Sequence, residues 1–272
     1  MRKALLAIAA TCLLAGCATP SLRIDTSHES VVQASRVQFL ILHYTVADFE
    51  RSLDILARQG RVSSHYLVQE DPIRVYRLVD ESRLARHAGV SYWAGNAMLN
   101  ASSVGIEIVN PGYVDTVEGR VYAPYPRAQI DIVIELVKEI VARHDIRPEH
   151  VLGHADIAPG RKQDPGPMFP WKRLAEEGII PWPDAAQVAE RLDHHRGNPL
   201  PDVAWFQKRL AVVGYRVALD GELDEATRNV ISTFQMKYRP ADIGGLPDAE
   251  TAALLDVAST PGGMRMLGEH AE

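Results

Sequence analysis

The chain has 272 residues, 46% of them hydrophobic and 24% charged, with 19 Gly, 17 Pro and 2 Cys. That composition is ordinary for a globular protein and excludes a collagen-like, disordered or disulfide-stapled chain, while the length allows one large domain or a medium one with a small companion. Lys and Arg number 29 against 35 Asp and Glu, a net charge of -6, so no basic field awaits a nucleic acid.

At the N-terminus Arg2 and Lys3 precede the apolar stretch from Ala4 to Ala10, and Leu14-Ala15-Gly16-Cys17 follows. Basic, apolar and small-residue regions in this order mark a secretory signal peptide, and the apolar run is short of the roughly 18–20 residues that span a bilayer. Leu14-Ala15-Gly16-Cys17 also resembles the lipobox of bacterial lipoproteins. The resemblance implies removal of residues 1–16 and acylation of Cys17, and Ala18 in place of Asp implies the outer membrane, with the protein facing the periplasm. Cys12 lies in the leader, so the mature chain keeps no thiol for a disulfide or a Cys-ligated metal. Residues 17–36 are polar and aperiodic, as a tether between lipid and domain would be.

The run from Val37 to Tyr44 is apolar and bounded by polar residues, which suits a buried strand. Phe49, Leu53 and Leu56 then have helical spacing, with Gly60 as a stop signal. Two further strands are expected over 62–68 and 73–79, separated by Glu70-Asp71-Pro72. In Ser103–Val109 the alternation puts Val104, Ile106 and Ile108 on one face and Glu107 on the other. Ile130, Val133, Ile134, Val137, Ile140 and Val141 mark the strongest amphipathic helix. The expected fold is α/β, a mixed central sheet flanked by helices over 37–180. Pro181-Trp182-Pro183 and Gly197-Asn198-Pro199-Leu200-Pro201 then suggest a linker over 181–201. Beyond it, helical segments over 203–213, 226–236 and 248–257 predict a small three-helix C-terminal domain at 202–260, folding on its own.

Chemistry is signalled where His and acidic residues gather at strand ends and in Gly/Pro-rich loops: His43, Gly153-His154 and Gln163-Asp164-Pro165-Gly166. Imidazole nitrogens and a carboxylate suit Zn²⁺, and three protein ligands leave a fourth position for water. Taken alone, a buried strand-end His is more often a core residue than a ligand. Six blocks in order carry more: Phe39–Thr45, Ser64–Val68, His87-Ala88-Gly89, Ser103–Glu107, Gly153–Ile157 and Arg161–Gly166. Together they resemble the zinc-dependent N-acetylmuramoyl-L-alanine amidases of the Amidase_2 type.

That resemblance implies Zn²⁺ bound by His43, His154 and Asp164, with Glu107 as the catalytic carboxylate and Lys162 as an auxiliary cation at the scissile group. It also implies a structural role for His65 and a place for His87 along the substrate groove. Arg86 departs from the family pattern, which has Trp there, so a less aromatic groove wall is expected. Residues Trp205–Leu210, Gly214-Tyr215, Leu219–Asp224, Thr227 and Thr233-Phe234-Gln235 resemble the peptidoglycan-binding domain PG_binding_1. The expected partners are peptidoglycan or muropeptides and, through Cys17, a membrane; a monomer is expected, and no nucleic acid. The expected activity is hydrolysis of the amide between N-acetylmuramic acid and L-alanine. The alternatives are a non-catalytic peptidoglycan-recognition lipoprotein, which would not require the ligand set together with Glu107, and a structural envelope tether, which would leave that set unexplained.

Overall fold

A computed structural model describes residues 22–267. The signal peptide, Cys17 and the start of the tether lie outside these residues. Residues 22–34 are exposed and form neither helix nor strand, and residues from 35 onward belong to one compact unit. No helix among the described residues is long and apolar enough to cross a membrane.

Strand β1 (Phe39–Tyr44) is buried along its whole length, which explains why an unbroken apolar run encodes it rather than an alternating one. Helix α1 (Phe49–Ala57) starts at Asp48, whose side chain accepts a hydrogen bond from the Arg51 N–H, satisfying one of the free donors of the first turn. An antiparallel hairpin follows, β2 (Tyr66–Glu70) with β3 (Ile73–Arg77). Two small hairpins flank β6 (Ser103–Ile108) in sequence: β4 (Tyr92–Trp93) with β5 (Asn96–Ala97), and β7 (Tyr113–Thr116) with β8 (Gly119–Tyr122). After α2 (Arg127–His144) come β9 (Val151–Gly153), the single turn α3 (His154–Ile157) and α4 (Trp171–Glu176). The sheet has the order β3-β2-β6-β1-β9, parallel except for β3.

One face of this sheet, with Leu40, Leu42, Val104, Ile106 and Ile108, packs on Ile130, Val133, Ile134, Val137 and Ile140 of α2. The alternation in β6 and the helical period of α2 therefore point at each other, as the sequence pattern requires. Against the C-terminus of α2, the Glu81 carboxylate collects Tyr66, Arg143 and His144.

The other face corrects the domain plan. The expected linker over 181–201 is structured: β10 (Trp182–Pro183) pairs with β11 (Met264–Arg265), and α5 (Ala185–Gly197) begins at Asp184, which caps the Gln187 N–H. The Pro-rich punctuation marks the ends of a helix rather than a flexible span. Three helices follow as expected, α6 (Val203–Val213), α7 (Glu225–Tyr238) and α8 (Ala249–Ala258). They do not form a separate body. Phe206, Leu210, Val230 and Phe234 share one continuous core with Phe39 and Ile41 of β1, Leu152 of β9 and Ile157 of α3. At about 1.5–3 kcal/mol for each large apolar side chain buried, this shared core is a substantial part of the fold.

Candidate metal centre

His43 and Glu107 are register partners on the neighbouring parallel strands β1 and β6, each one residue from its strand's end. His154 opens α3 directly after β9, and Asp164 lies on the loop beyond. All four thus gather at the carboxyl edge of the parallel strands, where α/β sheets place their ligands. Gly153 is required at the β9–α3 junction, because a Cβ there would lie 2.8 Å from Pro165 and 3.1 Å from Trp171.

Three buried atoms face one another: His43 Nδ1 is 2.9 Å from His154 Nδ1 and 2.9 Å from Asp164 Oδ2, and His154 Nδ1 is 3.0 Å from the same oxygen. Their proton content follows from what lies behind them. The Ser103 hydroxyl lies 2.6 Å from the Leu99 carbonyl and 3.1 Å from His87 Nε2. Its single proton goes to the carbonyl, which can only accept, so His87 Nε2–H donates to Ser103 Oγ. His87 Nδ1 is then an acceptor, 3.0 Å from His43 Nε2, and His43 carries its proton on Nε2. On the other side both N–H groups of Arg161 Nη2 are taken by the Ala88 and Val90 carbonyls at 2.7 Å. His154 Nε2, 3.1 Å from the Ala88 carbonyl, is therefore a donor to it.

With Nε2 carrying the proton of each neutral ring, both Nδ1 atoms face the carboxylate oxygen as acceptors. Three acceptors at such separations repel unless a cation lies between them. Two imidazole nitrogens and one carboxylate oxygen, with the imidazoles oriented by hydrogen bonds on their far sides, fit Zn²⁺ with an open fourth position. Burial, followed by the neighbouring His154, lowers His43 to about 4, and burial lowers His87 well below the ordinary imidazole value. His43 is thereby held neutral, as a metal ligand must be, and so is His87, its hydrogen-bond partner.

The cavity beside these atoms encloses about 190 Å³ and is bordered by Tyr44, Val46, Ile55, Val62, Glu107 and Lys162, among others. Burial and the Asp164 charge push Glu107 well above the ordinary carboxylate value, and only Lys162 opposes them. A carboxyl raised in this way holds its proton more readily than an exposed one.

His87 was expected along the substrate groove. Its ring borders the cavity, but both nitrogens are engaged by His43 and Ser103, so it has no polar atom left for substrate. His65 is buried and neutral: Nδ1 accepts from the Gly105 N–H at 3.0 Å and Nε2 donates to the Arg83 carbonyl at 3.1 Å. Arg86 is exposed. Sequence reasoning passed over Ser103, Asn100, whose Oδ1 accepts the N–H groups of His87 and Ala88, and Arg161. Ser103 and Arg161 lie inside the blocks that carry the resemblance, and Asn100 lies three residues before one of them.

The family model for N-acetylmuramoyl-L-alanine amidase (Amidase_2) matches residues 33–167, and a peptidoglycan-binding-domain model (PG_binding_1) matches residues 199–255. The chain is 42% identical over 269 residues to the N-acetylmuramoyl-L-alanine amidase AmiD of Escherichia coli (strain K12), covering 94% of this chain and 97% of that one. To the 1,6-anhydro-N-acetylmuramyl-L-alanine amidase AmpD of Enterobacter cloacae it is 35% identical over 113 residues, 42% of this chain and 55% of that one. The structure of E. coli AmiD in complex with anhydro-N-acetylmuramic acid-L-Ala-D-gamma-Glu-L-Lys matches with a TM-score of 0.80 at 41% identity, covering 88% of this chain and 95% of that one. AMPDH3 from Pseudomonas aeruginosa, in complex with anhydromuramic pentapeptide, matches with a TM-score of 0.79 at 38% identity, covering 87% and 97%.

Proposed function

The chain belongs to the Amidase_2 family of N-acetylmuramoyl-L-alanine amidases, and from that premise we propose that it cuts the amide between N-acetylmuramic acid and L-alanine with Zn²⁺ held by His43, His154 and Asp164. The observation that carries this reading is the convergence of His43 Nδ1, His154 Nδ1 and an Asp164 carboxylate oxygen beside Glu107. Bound there, Zn²⁺ supplies Lewis acidity for activating water and polarising a carbonyl. Glu107 takes the proton of the attacking water and delivers it to the departing amine. Lys162 places positive charge beside the oxygen that becomes negative in the tetrahedral intermediate. Val46, Ile55 and Val62 give one wall of the cavity an apolar character suited to the lactyl and alanyl methyl groups.

The complexes of AmiD and AMPDH3 with anhydromuropeptides support released fragments as substrates alongside polymeric peptidoglycan. A protein that only recognised peptidoglycan would not require Glu107 beside the ligand set, and this favours the enzyme. Mass spectrometry of muropeptides incubated with zinc-loaded and chelated protein tests the activity: the loaded protein should release the peptide and the chelated protein should not. Undiminished zinc content in His154→Ala would refute the ligand assignment.

The lipobox-like Leu14-Ala15-Gly16-Cys17, followed by Ala18, supports a lipid-anchored protein at the outer membrane, facing the periplasm. Cys17→Ser should lose acyl labelling and leave the membrane fraction. The helices of residues 202–260 add peptidoglycan affinity in this reading, raising the local concentration of the catalytic site on the polymer. Cosedimentation with insoluble peptidoglycan measures it.

A further inference from the structure

One buried carboxylate has no part in the chemistry above. Asp156 lies two residues beyond His154, in the single turn α3, and is 3% exposed. Its Oδ2 accepts the Gly153 N–H at 2.9 Å, closing the turn from which His154 projects. The neighbouring Ala155 N–H donates to the Asp164 carbonyl at 2.8 Å. One turn thus holds the backbones of two of the three ligands.

Its remaining partners come from the C-terminal unit: Tyr215, just beyond the end of α6, and Lys237 of α7. The Tyr215 hydroxyl donates to Asp156 Oδ1 at 2.7 Å, and Lys237 Nζ donates to Oδ2 at 3.1 Å. Tyr215 and Lys237 are 2% and 7% exposed. The Lys237 ammonium also lies 4.3 Å from the centre of the Trp171 ring, and Trp171 packs with Pro165 against Gly153. Tyr215 packs edge-on against Trp93. A carboxylate this buried needs its charge and lone pairs satisfied, and here the C-terminal unit supplies both the cation and the hydroxyl.

We propose that the C-terminal unit supports the catalytic centre, with Tyr215 and Lys237 acting as positioning residues that fix the turn of His154 and Asp164 through Asp156. The inference rests on His154 and Asp164 being metal ligands, as proposed above. It assigns the C-terminal unit a role independent of any affinity for the cell wall: presenting the ligands in the geometry that binds metal.

The test uses the whole chain and zinc alone as probe, with the dissociation constant measured by competition against a chromogenic chelator. Tyr215→Phe removes one hydroxyl and keeps the ring against Trp93. Lys237→Met keeps the aliphatic stem over Trp171 and removes the charge. Gln207→Ala is the control: it breaks hydrogen bonds to Asp220, Glu222 and Thr227 inside the C-terminal unit and touches none of the residues around Asp156. Partners behind metal ligands are typically worth about 10–100-fold in metal affinity; these act one step further away, and a weakening of roughly threefold to tenfold is expected. Both contact variants should bind zinc more weakly and lose kcat/KM on a soluble anhydromuropeptide, while Gln207→Ala melts earlier with zinc affinity unchanged. Wild-type affinity in the contact variants overturns the proposal, and so does an equal loss in Gln207→Ala, which would mean that general destabilisation is the cause. Failure of the ligand assignment itself would show separately, as full zinc binding in His154→Ala.

Discussion

Replacing Gly105 by Ala should damage the metal centre without touching a ligand. Gly105 lies on β6 directly beneath the His87 ring, and a Cβ there would lie 2.5 Å from Cγ, 2.6 Å from Nδ1 and 2.9 Å from Cδ2. Apolar contacts settle near about 3.5–4.0 Å, so the ring must retreat by roughly 1 Å. The bond from His43 Nε2 to His87 Nδ1 is 3.0 Å long and does not survive such a shift as a hydrogen bond. Overpacking of this kind costs about 1–3 kcal/mol of stability. Loss of the group that orients a metal-ligating imidazole costs about 10–100-fold in metal affinity, or roughly 1.4–2.8 kcal/mol. The assay is a zinc competition titration alongside thermal melts of the metal-free and loaded forms. The loaded form should lose more stability than the metal-free form. A folded Gly105→Ala protein with zinc affinity within about twofold of wild type would refute the chain of hydrogen bonds from Leu99 through Ser103 and His87 to His43.

Glu107→Gln should keep zinc and lose about 10²–10⁴-fold in turnover on muropeptides. The same variant should stabilise the metal-free protein at neutral pH: the folded Glu107 carboxyl is raised above its ordinary 4.5, so its contribution is intact below that pH and is lost as pH rises toward the folded value. Melting curves of metal-free wild type and Glu107→Gln should therefore coincide near pH 4 and separate by pH 7. Lys162→Ala should lower turnover and leave zinc content intact; loss of zinc on that change would make its role structural. Burial raises Glu81, but hydrogen bonds from Tyr66, His144 and Arg143 outweigh burial and hold it below 4.5. Its stabilisation is thus present above 4.5 and is lost as pH falls through the lower folded value. Glu81→Gln should cost about 1–3 kcal/mol at pH 7, a gap that closes under acid, as denaturant titrations at two pH values will show.

The sheet was legible because short-range pattern encodes it, whereas the candidate ligands His43, His154 and Asp164 came from the resemblance of six separated blocks. The period of two in Val104, Ile106 and Ile108 placed Glu107 on the opposite face, and the helical period of α2 named the layer that covers the sheet. The role of α5 was not legible. Of its side chains only His195 is buried, so its sequence carries little periodicity; its packing partner α8 is apolar nearly all round, with Ala252, Ala253, Leu255 and Val257 buried. The function of His87 was hidden for a related reason. Whether that ring meets substrate or His43 depends on the room left by Gly105, which arrives from a strand eighteen positions away and becomes its neighbour only in the folded chain. Asp156 reads from sequence as one more acidic loop residue, since its partners Tyr215 and Lys237 lie far along the chain.

The pairing of His43 with Glu107 across β1 and β6 makes metal retention a form of proofreading. Side chains alternate between the faces of a sheet, so slipping one strand past its neighbour by a single residue sends its whole pattern to the wrong side. A slip of β1 would bring Leu42 or Tyr44 level with Glu107 and carry the imidazole of His43 out of reach of His154 and Asp164. The helix-covered face would meanwhile receive Phe39, Ile41 and the imidazole of His43 in place of Leu40, Leu42 and Tyr44. With the proposed ligand set, a misregistered molecule would fail to hold an ion before any substrate was offered, so the fraction of a refolded preparation that retains zinc after dialysis should fall as the share of molecules in which this strand pair is misaligned rises.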